Sequence, residues 1–180
     1  MKLSSLALAV ASLAAAGAAQ AATYNFDGDT TGGPTYNRAL AGDPPTGLSA
    51  VGTDVAYSTF AFSVDTAGSY DFLSTAAGWD NFTFLYSGSF NPADALSNAI
   101  VGNDDLVTIG ISGFSTALAT GTTYIYVTTG FSNTDQGLFS NSITGPGTVA
   151  AVPEPESYAL MALGLGAIAL GRRYAARKAG

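Results

Sequence analysis

Asn103-Asp104-Asp105 is the densest run of oxygen donors in this 180-residue chain. A hard cation such as Ca²⁺ takes about six to eight oxygens from carboxylates, amides and backbone carbonyls. Two adjacent acids in a Gly-preceded loop can supply two or three of them. Asp80 or Asp135 can join from elsewhere in the fold. The candidate metal ligands are therefore Asp80, Asn103, Asp104 and Asp105. The same residue types also form ordinary turns through their own side-chain hydrogen bonds. The run follows neither the EF-hand spacing nor the GGxGxD repeat. Asp27-Gly28-Asp29 invites the same comparison. Trp79 follows Gly78 and precedes an alternating apolar stretch. It suits either a loop-tip contact with a sugar ring or the core packing usual for a Trp in a small β domain.

Acid–base chemistry has few residues to draw on. The chain has no His and no Cys. That removes Ser-His-Asp and Cys-His catalysis, the usual zinc sites and any disulfide. An Asp pair can in principle hydrolyse a glycoside, given one acid with a raised pKa at a set distance from the other. No group stands out in the sequence as a proton shuttle near neutral pH. The expectation is a non-enzymatic protein with no catalytic residue. A secreted hydrolase using an Asp pair is the alternative.

Both ends of the chain carry addresses. Lys2, an apolar run from Leu3 to about Ala16, and Ala19-Gln20-Ala21 form an n-region, an h-region and an A-x-A site. This is a signal peptide over residues 1–21, cut after Ala21 by signal peptidase on the Sec export route. At the other end, Ser157 to Gly171 is uncharged and mostly Ala, Leu and Gly. At ~1.5 Å per residue it spans roughly 22 Å as a helix, short of the ~30 Å of a bilayer core. Arg172, Arg173, Arg177 and Lys178 follow as a stop signal that keeps the basic tail (172–180) in the cytoplasm. Pro153 and Pro155 stiffen the outside flank and keep it extended.

The domain between these ends is strongly acidic. It carries eleven Asp against Arg38 alone, a net charge near −10, because four of the six cations lie in the tail. That disfavours nucleic acid and anionic membrane surfaces as partners. Arg38 is expected to pair with an Asp carboxylate and pin its loop.

Alternation supplies the elements. Phe60, Phe62 and Val64, a turn at Asp65–Gly68, then Tyr70 and Phe72 read as a hairpin. Phe82, Phe84 and Tyr86 alternate, with Leu85 on the other face. Tyr124-Ile125-Tyr126-Val127 is apolar on both faces, as in a central strand. Ile109 and Ile111 suggest another strand, Tyr24–Phe26 a short first one, and Phe139–Ile143 a last one. Asp27–Asp54 keeps no period and reads as one long irregular loop. In both Thr66–Phe72 and Ala119–Ile125 a Gly turn delivers a Tyr to the start of a strand. The expected fold is all-β: an antiparallel, jelly-roll-like β-sandwich over 22–147. A 148–156 linker and the short 157–171 transmembrane helix follow.

Two resemblances sit on these residues. Val152-Pro153-Glu154-Pro155, the glycine-bearing apolar run and the terminal Arg cluster resemble the PEP-CTERM sorting signal of exported Gram-negative proteins. The resemblance implies recognition by exosortase, a membrane transpeptidase-like protease. It also implies a passage from the inner membrane to the cell surface or extracellular matrix, with transient anchoring, and an association with exopolysaccharide or biofilm. Asp80–Tyr86, Phe90-Asn91-Pro92, Asn103-Asp104-Asp105 and Leu118–Val127 resemble the β-sandwich modules related to bacterial pre-peptidase C-terminal domains. That implies an adhesion, polymer-binding or spacer role. With the acidic cluster, it leaves a Ca²⁺-dependent polysaccharide-binding module as the second functional expectation.

Overall fold

The computed structural model describes residues 21–153. The expected signal peptide up to Gln20, with Ala19, lies outside them. So do Glu154, Pro155, the expected 157–171 span and the Arg172, Arg173, Arg177, Lys178 cluster. Ala21 is exposed just ahead of the first strand.

Ten strands fill the described residues: β1 (Ala22–Asp29), β2 (Thr35–Tyr36), β3 (Val55–Val64), β4 (Gly68–Ala76), β5 (Asn81–Ser87), β6 (Ala99–Asn103), β7 (Ile111–Leu118), β8 (Tyr124–Gly130), β9 (Leu138–Gly145) and β10 (Val149–Ala151). They form two antiparallel sheets. One runs β1-β9-β4-β7. The other runs β10-β3-β8-β5-β6, with β2 also on β3. No helix occurs among the described residues, so none there is long and apolar enough to cross a membrane.

Side-chain alternation explains the packing. Tyr70, Phe72, Leu85, Tyr126 and Ile143 meet Phe62 between the sheets and make the first core. Phe82, Phe84, Tyr86 and Val127 point the other way. They make a second core with Tyr36 and Ala39, under the segment that follows β1. β5 and β8 therefore bury both faces, and Asn81 to Tyr86 are buried without a break. At about 1.5–3 kcal/mol per buried large apolar side chain, both cores are major contributors to stability.

Several expectations change. β3 and β4 are not a hairpin. They belong to different sheets, and Asp65–Ala67 arches between them. Phe62 meets Phe72 across the interior at 6.0 Å, so alternation is satisfied by facing as well as by pairing. Asp27–Asp54 is not one irregular loop. β1 reaches Asp29, β2 lies inside the stretch, and bridges Ala39↔Leu48 and Gly42↔Gly102 tie down the rest. Ile109 is an exposed loop residue, and β6 is a strand that the alternation did not mark. The sheet also takes in Val149–Ala151, beyond the 147 boundary and inside the expected linker.

The two Gly-turn tyrosines do share a device. Tyr70 donates its hydroxyl to Thr66 O at 2.7 Å. The Tyr124 hydroxyl accepts from Ala119 N at 2.8 Å. Each ring thus ties its strand to the turn before it.

Candidate functional site

The starts and ends of the strands define two ends of the sandwich. Ala22 pairs with Gly145 and Gly68 with Leu118 at one end. At the other, Asp29 pairs with Leu138 and Asn81 with Gly130, and Asn103 closes β6 beside Thr83. A strand of eight residues makes these ends about 26 Å apart.

The second end gathers the acids. Asp80 immediately precedes β5, and Asp104 and Asp105 immediately follow β6. Antiparallel pairing of β5 with β6 puts these positions side by side. One carboxylate oxygen from each of Asp80, Asp104 and Asp105 lies within 4.8 Å of the others. Asp80 and Asp104 are half-buried and Asp105 is exposed. Asp80 Oδ1 and Asp104 Oδ1 are shielded from solvent and accept no hydrogen bond. Such an oxygen is normally satisfied by a donor, a proton or a cation. Burial, followed by the charges of Asp80 and Asp105, pushes the Asp104 carboxyl up to about 6. Burial, then Asp105 and Asp135, also raises Asp80, against the opposing pull of Arg38. The sequence marks no group titrating near neutral pH, and the fold makes Asp104 one.

Arg38 lies beneath this cluster and is 2% exposed. Its partners are not the expected carboxylate. Nε–H and an Nη2–H donate to Phe131 O at 3.0 and 2.8 Å, and an Nη1–H donates to Ala39 O at 2.9 Å. The guanidinium sits 4.2 Å from the Phe82 ring centroid and 5.0 Å from that of Phe131. It does pin the loop, through carbonyls and ring faces. Burial lowers its pKa, while the nearby charges of Asp104, Asp80 and Asp135 oppose that shift. Phe131 N–H in turn donates to Asp80 O at 2.9 Å, so the cation and the cluster share one backbone segment.

The other named residues take separate places. Asn103 turns toward β7: its Oδ1 accepts from Gly113 N at 3.4 Å, and its carbonyl accepts from Ser112 Oγ at 2.8 Å. Asp135 Oδ2 accepts from Ser132 N at 2.8 Å and closes a turn. Asp29 Oδ1 accepts from Thr31 N at 2.8 Å, and Asp27 accepts from Ser140 Oγ at 2.6 Å, both on the exposed face of β1. Trp79 belongs to neither core. It is half-exposed, with Nε1–H donating to Leu138 O at 3.0 Å. Leu138 also lines an open groove of about 720 Å³, together with Asp27, Thr75, Ile109 and Ser140 among others.

A feature that the sequence reading missed lies behind the cluster. Ser74, Asn81, Thr83, Ser112, Thr128 and Asn141 form a buried polar layer between the sheets. Asn81 Nδ2 donates to Ser74 Oγ at 2.8 Å and Asn141 Nδ2 to Thr128 Oγ1 at 2.8 Å. Thr83 and Ser112 share a 2.6 Å bond. The signal was there: these are polar residues at inward positions of alternating strands.

The described chain ends at the opposite edge of the larger sheet. β10 pairs with β3, and Val152 N–H donates to Ala61 O at 2.8 Å. Val152 and Pro153 are the described part of the Val152-Pro153-Glu154-Pro155 motif.

Comparison with known proteins bears mainly on that edge. A search of curated proteins finds no match. Among solved structures, one similar chain is CBM35 from Cellvibrio japonicus Abf62. It is 14% identical, with a TM-score of 0.36, over 72% of this chain and 99% of that one. Residues 151–178 match the PEP-CTERM protein-sorting motif. That match supports reading the chain as an exosortase substrate sorted toward the surface.

Proposed function

We propose that this is a non-enzymatic surface or extracellular-matrix protein, delivered by its two terminal signals and associated with exopolysaccharide. The single observation that carries the reading is the sorting motif at 151–178 directly behind an acidic sandwich. The short apolar span then serves as a temporary hold, and exosortase processing releases or transfers the domain. The absence of His and Cys and the −10 charge of the exported region suit a spacer or adhesive role better than catalysis. Cell fractionation tests it. In a host without the exosortase gene the protein stays with the membrane, and with the gene it moves to the surface or matrix. An identical distribution in both hosts contradicts the reading.

One observation favours a Ca²⁺-dependent polysaccharide-binding role for the same domain. Asp80, Asp104 and Asp105 converge, and two of their shielded oxygens have no donor. They fit an oxygen-seeking cation as three ligands, with carbonyls and water completing the shell. Asp27, Thr75 and Ser140 offer polar contacts to a sugar chain in the groove, and the half-exposed Trp79, bonded to the groove's Leu138, adds an aromatic one. Titration calorimetry with Ca²⁺ tests the cation. Uptake of one ion per chain supports it, and no uptake at millimolar Ca²⁺ contradicts it.

A further inference from the structure

The sorting motif match begins at Ala151, which is also the last residue of β10. Val152 is still bonded to β3 through its N–H. The signal and the sandwich therefore share residues, with no spacer between them. We propose that β10 is a latch on processing: while it is paired with β3 the sorting signal is withheld, and the processing enzyme acts on chains whose β10 has come away. The proposal rests on the sorting reading above.

Three features make a latch of this strand. First, its hold is regular. Val149, Ala150 and Ala151 pair with Val64, Ser63 and Phe62. A protease that binds its substrate as an extended strand needs the backbone groups that β3 now occupies.

Second, its release leaves the cores nearly intact. Val149 is half-buried against the first core, while Ala150 and Ala151 are exposed. Edge segments with so little buried surface open locally, far more often than the whole domain unfolds.

Third, it has a clasp at its root. Thr148 N donates to Asp65 Oδ1 at 2.9 Å, and Thr148 Oγ1 donates to Asp65 Oδ2. Asp65 N–H donates to Thr148 O at 3.3 Å. Gly147 lets the chain pass close: a Cβ there would lie 2.2 Å from Asp65 Oδ1. Asp65 belongs to the β3–β4 arch, so the arch itself grips the strand.

When opening is fast relative to cutting, the rate of cutting follows the open population. Locking β10 then slows processing, and loosening its clasp speeds it. Ser63 and Ala150 lie directly opposite each other. Their Cα separation is about 5.5 Å in a hydrogen-bonded antiparallel pair, within reach of a disulfide. The chain has no Cys of its own, so S63C/A150C introduces a single defined crosslink.

The test follows full-length protein by pulse-chase in an exporting host that encodes the sorting enzyme. Oxidised S63C/A150C is expected to convert about tenfold more slowly than wild type and to recover with dithiothreitol. Each single-Cys variant converts at the wild-type rate. Asp65→Ala converts about threefold faster. Conversion of the crosslinked protein at the wild-type rate overturns the latch. Failure of wild type itself to convert refutes the sorting reading instead. Hydrogen exchange on the full chain in detergent then tests the strand alone. Amides of residues 149–152 exchanging about a hundredfold faster than those of β8 support an independently opening β10. Exchange in step with β8 overturns it.

Discussion

Arg38 gives two of its donors, at 3.0 and 2.8 Å, to one acceptor, the carbonyl oxygen of Phe131. That pairing fastens the segment after β1 onto the end of β8 and closes the second core. It also places the one cation of the exported region beneath three carboxylates.

Replacing Arg38 is therefore expected to cost more than a surface charge does. Arg38→Ala strands a buried carbonyl and removes the packing on Phe82 and Phe131. A loss of about 3 kcal/mol is expected in urea unfolding. Arg38→Lys keeps the charge and loses the fork, so it recovers less than half of that loss. A loss below about 1 kcal/mol for Arg38→Ala contradicts the anchoring role.

Asp104 sets a pH dependence. Its folded pKa of about 6 lies above the 3.8 usual for an aspartate, so the folded state holds that proton more tightly. Stability then falls as pH rises through this window, and the cost is complete above it. Half exposure and solvent screening limit it to about 1 kcal/mol. Asp29 and Asp65, held below the usual carboxylate range by hydrogen bonds from Thr31 and Thr148, act oppositely and at lower pH. Asp104→Asn is expected to flatten the slope between about pH 4 and 6 in unfolding titrations and to stabilise the calcium-free protein at pH 7. An unchanged slope contradicts this.

Calcium should reverse that preference. If the cluster binds Ca²⁺, free ion at a hundredfold excess over Kd adds about 2.7 kcal/mol. Tm rises accordingly, and a chelator restores the lower value. Asp80→Asn with Asp104→Asn abolishes the rise while leaving the calcium-free protein folded. A calcium-induced rise that survives both changes places the ion elsewhere.

Gly145, at the end of the inner strand β9, tests the fit of the Tyr70 ring. A Cβ there would lie 2.1 Å from the Tyr70 ring. Gly145→Ala must displace a buried ring that also holds Thr66 O. A loss of about 2 kcal/mol in urea unfolding is expected from the overpacking.

Much of this was legible in the residues, and the rest depended on partners. Alternation at Phe82, Phe84 and Tyr86 marks β5, and two-faced apolarity at Tyr124–Val127 marks a central β8. Asp80 was one of two companions, with Asp135, that the residues offered to Asp104 and Asp105; the pairing of β5 with the unmarked β6 brings in Asp80 and not Asp135. Alternation says which faces are apolar but not which strand lies alongside. Phe62 and Phe72 are thus compatible with a hairpin or an arch, and the arch is found. The order in 30–54 rests on Arg38 with Phe131 and on Gly42 with Gly102, contacts between residues far apart in sequence. β10 has only Val149 to bury, too little for a periodic signal.

In the proposed function the tail is a removable address. Intact mass of the mature protein recovered from an exporting host measures this directly. The expected mature chain has an N-terminus at Ala22 and a C-terminus near Pro153–Pro155, without Arg172, Arg173, Arg177 and Lys178. A mature protein whose mass still includes Arg172 and Arg173 contradicts it.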